Sequence, residues 1–135
     1  MRGRLTRAVT FRAHHRLYDA AQPPSANEAD FGWTTEPHPH DYRVEVTVSA
    51  PLAERRPMVI DLARFDALLA EEVTGRLAGR RLDRDVPAFA ETLPTCEGIA
   101  RDLYHRLVAR LPEGVQLDRV RVAEDATLAG EYGVD

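Results

Sequence analysis

The stretch from His38 to Val48 decides the fold: His38-Pro39-His40-Asp41-Tyr42-Arg43-Val44-Glu45-Val46-Thr47-Val48. Apolar and polar residues alternate along most of it, which is typical of a strand with one buried face. Side chains two positions apart on a strand point to the same side, so His38 and His40 share the face of Tyr42 and the valines. The stretch therefore predicts a strand over His38–Ala50 with two imidazoles on its apolar face.

A second pair of histidines lies upstream, in Val9-Thr10-Phe11-Arg12-Ala13-His14-His15. The same alternation puts His15 on the apolar face and His14 on the opposite one. This stretch predicts a strand over Leu5–Leu17, antiparallel to the first. Imidazoles of His15, His38 and His40 on two neighbouring strands form a donor set for tetrahedral zinc with one open position. The alternative is that the histidines are buried without a metal, but each neutral ring then needs partners for both nitrogens.

The rest of the chain predicts two helices and two more strands. Helical spacing of apolar residues predicts helices over Leu62–Leu77 and Cys96–Leu111, capped by Asp61 and Thr95, with Gly79 just beyond the first. The other predicted segments are a long loop over Tyr18–Pro37, a turn over Pro51–Pro57, a short strand or strand extension over Met58–Asp61, a mostly loop segment over Ala78–Leu93, a strand over Val115–Glu124 whose apolar face shifts along its length, and a short strand over Ala129–Tyr132. The order ββααββ predicts an α+β fold with two helices on one face of an antiparallel sheet.

Composition excludes several classes of function. The 135 residues predict a single domain, residues 1–135, and the net charge of −4 without a basic run argues against a nucleic-acid partner. The sequence has no run of about eighteen apolar residues, so we expect no membrane span. The single cysteine, Cys96, cannot form an internal disulfide, which fits a cytoplasmic protein. The chain has no lysine, which excludes lysine Schiff-base chemistry.

Ordered motifs along nearly the whole chain resemble the family of 6-pyruvoyl-tetrahydropterin and 6-carboxytetrahydropterin synthases. Phe11-Arg12-Ala13-His14-His15-Arg16-Leu17 is similar to that family's Phe-Ser-Ala-x-His-Arg-Leu, and His38-Pro39-His40-Asp41-Tyr42 to its His-Gly-His-Asn-Tyr. Further similar motifs are Asn27 to Gly32, Met58-Val59-Ile60-Asp61-Leu62, Leu82 to Phe89, Pro94-Thr95-Cys96-Glu97-Gly98-Ile99-Ala100 and Val120-Arg121-Val122-Ala123-Glu124.

The resemblance implies a tunnelling fold, in which a four-stranded antiparallel sheet carries two helices. It implies a homo-oligomer, a hexamer of two stacked trimers, each trimer closing a twelve-stranded barrel. It also implies zinc on the three histidines and a pterin-like small molecule as substrate. Thr95, Glu97 and Glu124 match motif positions at the substrate, where a carboxylate accepts two N–H bonds from the amino-pyrimidine edge.

The chain departs from the family at its acid–base residues. Thr34 stands where the resemblance places a proton-abstracting cysteine, and Ala78 and Gly79 stand where it places an aspartate and a histidine. Losing a positioned acid or base costs about 10²–10⁴ in rate, so ordinary synthase turnover is not expected without a replacement. Glu36 is the nearest candidate carboxylate, with Glu124 as a second candidate catalytic group.

Two functions stay open at this point. In the first, the chain is a zinc-dependent lyase or cyclase with unusual acid–base residues, acting on a reduced pterin or a similar compound. In the second, it is a catalytically retired module that keeps zinc and the pterin pocket for binding or assembly. The presence of both Glu97 and Glu124 argues against a purely structural role and favours the enzyme, because buried acids without a partner are costly.

Overall fold

A computed structural model of the chain describes residues 1–134. The strands are β1 (Arg2–His15), β2 (His38–Pro51), β3 (Gln116–Ala123) and β4 (Ala129–Gly133). The α-helices are α1 (Pro24–Phe31), α2 (Leu62–Leu69), α3 (Gly75–Leu77), α4 (Leu82–Asp85) and α5 (Cys96–Val108). A π-helical turn, Ala70–Thr74, joins α2 to α3, and 3₁₀ turns lie at Gly32–Thr35 and Pro87–Phe89.

The four strands form one antiparallel sheet in the order β1-β2-β3-β4, which confirms the predicted α+β architecture. Alternation of β2 is confirmed, because Tyr42, Val44, Val46 and Val48 are fully buried. They form one core with apolar side chains from both predicted helices, such as Phe65 of α2. No helix within residues 1–134 is long and apolar enough to cross a membrane.

The shifting apolar face of β3 has a structural cause. The register of β3 against β2 changes between Thr47 and Val48, where Asp118 is the extra residue on β3. Leu117 and Val120 are three positions apart and would face opposite sides of a regular strand. The bulge lets both side chains face the core, and both are buried. The Asp118 carboxylate accepts hydrogen bonds from Ser49 Oγ (2.8 Å) and Arg4 Nε (3.0 Å) at this point.

Both predicted helix caps are confirmed. The Asp61 carboxylate accepts from the backbone N–H of Ala63 at 3.0 Å, and Thr95 Oγ accepts from that of Gly98 at 3.0 Å. Gly79 ends the first helical run as predicted, with φ of 73°. Its N–H donates to the Arg12 carbonyl at 2.7 Å, which ties the end of the run to β1.

Two sequence predictions about the connections are wrong. Tyr18–Pro37 is not only loop, because α1 forms around the fully buried Asn27, whose amide accepts from the Asp19 N–H and donates to the Asp19 carbonyl. Met58–Asp61 is not a strand, since Asp61 is committed to capping α2. Ala78–Leu93 is mostly loop as predicted, with a short helix, α4, that buries Leu82.

The remaining bounds differ from the sequence prediction by a few residues. Strand β1 begins and ends earlier than predicted, and α5 ends at Val108 rather than Leu111. The first predicted helix has the right extent but is interrupted by the π-helical turn. A Cβ at Gly75 would lie 2.7 Å from the Ala70 carbonyl oxygen, so the widened turn needs glycine there.

Candidate metal centre

Strand pairing brings three imidazoles together at one end of the sheet. In the antiparallel register His15 of β1 lies opposite His38 of β2, and Ala13 lies opposite His40. The ring centroids are 4.6 Å apart for His15 and His38, and 5.0 Å apart for each of the other two pairs. The exposed His14 points away, as the alternation of β1 predicts.

Hydrogen bonds at Nδ1 fix the orientation and the tautomer of two of the imidazole rings. Nδ1 of His15 lies 2.8 Å from the Pro94 carbonyl oxygen, and Nδ1 of His38 lies 2.8 Å from the Glu36 carbonyl oxygen. A carbonyl only accepts, so each Nδ1 carries the proton and each Nε2 is left with a lone pair. This is the tautomer in which imidazole binds a metal through Nε2.

Two of the three inner nitrogens make no hydrogen bond of acceptable geometry. Nε2 of His15 and Nε2 of His40 are buried and make no hydrogen bond. Buried polar atoms are almost always satisfied, so unpartnered atoms that face one another call for a missing partner such as an ion. Burial lowers the pKa of His15 to about 4, outweighing the Pro94 hydrogen bond that raises it. The ring is therefore neutral and ready to bind a metal at neutral pH.

Glu124 completes the cluster from the end of β3. Its Oε2 contacts Nε2 of His40 and lies 3.7 Å from Nε2 of His15. One atom from each of Glu124, His15, His38 and His40 lies within 4.8 Å of the other three. Three imidazole nitrogens and a carboxylate oxygen suit zinc, which takes nitrogen and oxygen donors in tetrahedral geometry.

Two buried groups lie beneath Glu124. Cys96 Sγ donates to Glu124 Oε1 at 3.7 Å, and burial raises the pKa of this thiol to about 12. The Tyr42 hydroxyl is buried without a partner, and burial together with the Glu124 charge raises its pKa. Both groups therefore stay protonated. The sequence pattern placed Tyr42 on the apolar face of its strand, but only burial beside Glu124 relates Tyr42 and Cys96 to the centre.

The other candidate site residues lie around the centre rather than in it. The carboxylate of Glu36 is exposed, while its carbonyl holds His38. The Thr95 hydroxyl caps α5 by accepting from the Gly98 N–H. The carbonyl of the preceding residue, Pro94, accepts a hydrogen bond from His15 Nδ1. Glu97 is exposed on the first turn of α5, and its side chain lies against Gly130 of β4.

The three positions of departure carry no acid or base. The Thr34 hydroxyl donates to the Phe31 carbonyl at 2.6 Å, so it is held inside its own turn. Ala78 and Gly79 have no titratable side chain, and Gly79 is tied through its backbone to Arg12. Any proton transfer at this centre must therefore use other residues.

A cavity of about 580 Å³ lies beside Pro94, the residue whose carbonyl contacts His15. Its lining includes Arg16, Tyr18, Asp83 and Pro94. The Arg16 guanidinium lies 4.2 Å from the centroid of the Tyr18 ring, and Asp83 accepts from the Arg16 N–H at 3.3 Å. Its volume is in the range of small-molecule sites.

Comparison with known proteins gives consistent matches. The sequence model of the family described as 6-pyruvoyl tetrahydropterin synthase matches residues 4–134. The chain is 35% identical to human 6-pyruvoyl tetrahydrobiopterin synthase over 122 residues, which cover 89% of this chain and 83% of the human protein.

Solved structures share the fold. The structure of Caenorhabditis elegans 6-pyruvoyl tetrahydropterin synthase superposes with a TM-score of 0.91 at 24% identity, covering 100% of this chain and 97% of that one. A Plasmodium vivax 6-pyruvoyltetrahydropterin synthase superposes with a TM-score of 0.67 at 12% identity, covering 99% of both chains. In that structure a glutamate described as a catalytic residue is replaced by cysteine.

Proposed function

Because this chain belongs to the 6-pyruvoyl tetrahydropterin synthase family, we propose that it is a zinc-dependent lyase acting on a reduced pterin or a closely similar compound. The observation that carries the proposal is the cluster of three imidazoles and one carboxylate, with two buried Nε2 atoms left unpartnered. The reaction classes that suit such a site are carbon–oxygen lyase chemistry and aldol-type cleavage.

His15, His38 and His40 would hold the zinc. This assignment is supported by the hydrogen bonds that His15 and His38 make through Nδ1. These bonds leave Nε2 of both rings free to bind the metal. Bound zinc supplies Lewis-acid polarisation of a substrate oxygen and lowers the pKa of a bound water to about 7.

In this proposal Glu124 stands beside the open position of the three-histidine site and is not itself a ligand. Its Oε1 is held by the Cys96 thiol, so Oε2 faces the imidazoles and the incoming substrate. A carboxylate held in this way accepts hydrogen bonds from the N–H groups of a pterin edge or takes up a proton during turnover. Glu97 and Thr95, at the start of α5, are the further substrate-binding groups of this proposal.

Glu36 is the proposed proton acceptor in place of the missing cysteine. Its backbone carbonyl is fixed by His38, and its exposed carboxylate is free of protein hydrogen bonds that would hold it elsewhere within residues 1–134. A glutamate described as catalytic in the Plasmodium vivax synthase supports a carboxylate in this role.

The test of the proposed function is a turnover assay with 7,8-dihydroneopterin triphosphate and 7,8-dihydroneopterin on zinc-loaded protein. We expect Glu36→Gln to lower kcat by about 10²–10⁴ without loss of zinc. Glu54→Gln is the matched control, because Glu54 is exposed in the turn after β2, at the opposite end of that strand from His38. Equal turnover by both variants would contradict the role of Glu36.

Glu124→Gln separates two roles of that residue. If Glu124 acts on substrate, zinc content stays near one per chain while turnover and pterin binding fall. Loss of zinc in this variant would instead make Glu124 a structural ligand and contradict its catalytic role.

A retired binding module is the second candidate. It is favoured by Thr34, whose hydroxyl is occupied within its own turn, and by the bare positions Ala78 and Gly79. Zinc and pterin binding by the wild-type protein, without turnover of either compound, would select this function over the lyase.

We propose in addition that copies of the chain assemble through the sheet. Strands β1 and β4 are the two edges of the sheet, and an exposed edge strand is a ready partner for another strand. Pairing of β1 with β4 of the next copy is head to tail, which gives a ring when the rotation between copies closes. The family resemblance implies three copies per ring. Light scattering on the purified protein should then give a multiple of three chains.

A further inference from the structure

Trp33 stands beside the candidate metal centre with most of its surface free. It is the one tryptophan of the chain, and 69% of it is exposed. Its ring centroid lies 4.8 Å from that of His38, with the two planes tilted by 59°. Since indole is a large apolar group, leaving it in water forgoes a sizeable burial free energy.

The backbone around Trp33 is firmly held. The Leu17 N–H donates to the Thr34 carbonyl at 2.8 Å, and the Glu36 N–H donates to the Trp33 carbonyl at 3.1 Å. Gly32 begins the turn with φ of 57°, a conformation that favours glycine. The backbone of Trp33 is therefore fixed by hydrogen bonds. Its indole is exposed beside His38 at a defined position and does not belong to a free loop.

The residues that flank Trp33 in the sequence include exposed acids. No other large apolar side chain between residues 14 and 50 is exposed, and Asp30, Glu36 and Pro37 near it in sequence are exposed. Protein interfaces need a contiguous patch with an apolar centre, which a single indole among acids does not offer. A single flat aromatic face is suited instead to a small, flat ligand.

We propose that Trp33 is a substrate-binding residue whose indole stacks on the ring of a pterin bound at the centre. This inference rests on the proposed function, because it takes the reduced pterin as the ligand. The centre itself offers polar atoms, those of Glu124 and the imidazoles, which suit the edges and substituents of such a ring. The indole supplies an apolar face beside His38.

The stacking has a defined energetic consequence. Stacking of a nucleic-acid base on an aromatic side chain is sequence-tolerant, because it depends on the π-face rather than on hydrogen bonds, and a pterin ring is similar in size and polarity to a purine. Removal of such a stacking partner weakens binding about 5- to 150-fold. The loss should fall on affinity for the pterin, and zinc binding should be unchanged.

The test uses zinc-loaded full-length protein and 7,8-dihydroneopterin as the probe, with Kd measured by isothermal titration calorimetry. Trp33→Leu keeps an apolar side chain but removes the aromatic face, and we expect it to raise Kd by about tenfold or more. Trp33→Phe should restore most of the affinity. Val108→Ala, a change at an exposed apolar residue at the end of α5, should leave Kd unchanged.

Zinc content and oligomeric state are measured on every variant. A Trp33→Leu protein with the wild-type Kd overturns the stacking role while leaving the proposed function intact. A Trp33→Leu protein that loses zinc, or that dissociates, also overturns it, because the indole then supports the metal centre or a second copy. Absence of pterin binding by the zinc-loaded wild-type protein removes both the proposed function and this inference.

Discussion

Acidification of the metal-free protein tests the environment of His15 directly. This imidazole is 2% exposed, and burial lowers its pKa from 6.5 to about 4. The folded protein therefore resists protonation at His15, whereas the unfolded chain takes up the proton below pH 6.5. The free energy of unfolding is therefore highest above pH 6.5. It falls as the pH drops from 6.5 towards 4, because the unfolded chain binds more protons in this range.

The size of the effect follows from the two pKa values. The full shift corresponds to a loss of about 3 kcal/mol between pH 7.5 and pH 4, of which about 2 kcal/mol is lost by pH 5. The assay is urea unfolding of chelator-treated protein at a series of pH values and one protein concentration.

The control variant is His15→Asn, whose side-chain amide can still donate to the Pro94 carbonyl but does not titrate. We expect its stability to fall less than that of the wild type between pH 7.5 and pH 5, by about 2 kcal/mol. The exposed His105→Asn should keep the wild-type pH dependence. Parallel curves for the wild type and His15→Asn would refute the argument that burial holds His15 neutral.

Three further changes test the fold. Phe65→Ala should cost about 3–5 kcal/mol, read from the urea midpoint, because Phe65 is fully buried in the core; a cost equal to that of Leu62→Ala, at a 41% exposed site, would contradict the packing described. Thr95→Ala should lower the free energy of unfolding by about 1 kcal/mol through loss of the α5 cap, and Thr95→Ser should restore it. Gly79→Ala should cost about 1 kcal/mol because φ is 73° there, and a neutral result would mean that the turn relaxes.

The sequence predicted side-chain positions best in the strands, where the two-residue alternation is fixed by the backbone. Alternation placed His15 rather than His14 on the inner face and predicted the burial of Tyr42, since a strand side chain has only two directions. The caps at Asp61 and Thr95 were also predictable, because a short polar side chain before an apolar helical run has few other roles.

Other features depend on contacts between distant residues. Helix α1 has no apolar stripe and forms around the buried amide of Asn27, whose partners cannot be read from a pattern. The position of Glu124 beside His40 depends on the bulged register of β3 against β2. The proximity of Cys96 to Glu124 likewise needed the packing of α5 on the sheet.

Zinc analysis of the purified protein tests the central claim most directly. We expect about one zinc per chain, with X-ray absorption showing only nitrogen and oxygen ligands at about 2.0–2.1 Å. His38→Asn should lose the metal, whereas His14→Ala, at the neighbouring exposed histidine, should keep it. A protein that binds no zinc after metal is supplied, or that binds it equally well without His38, would contradict the account.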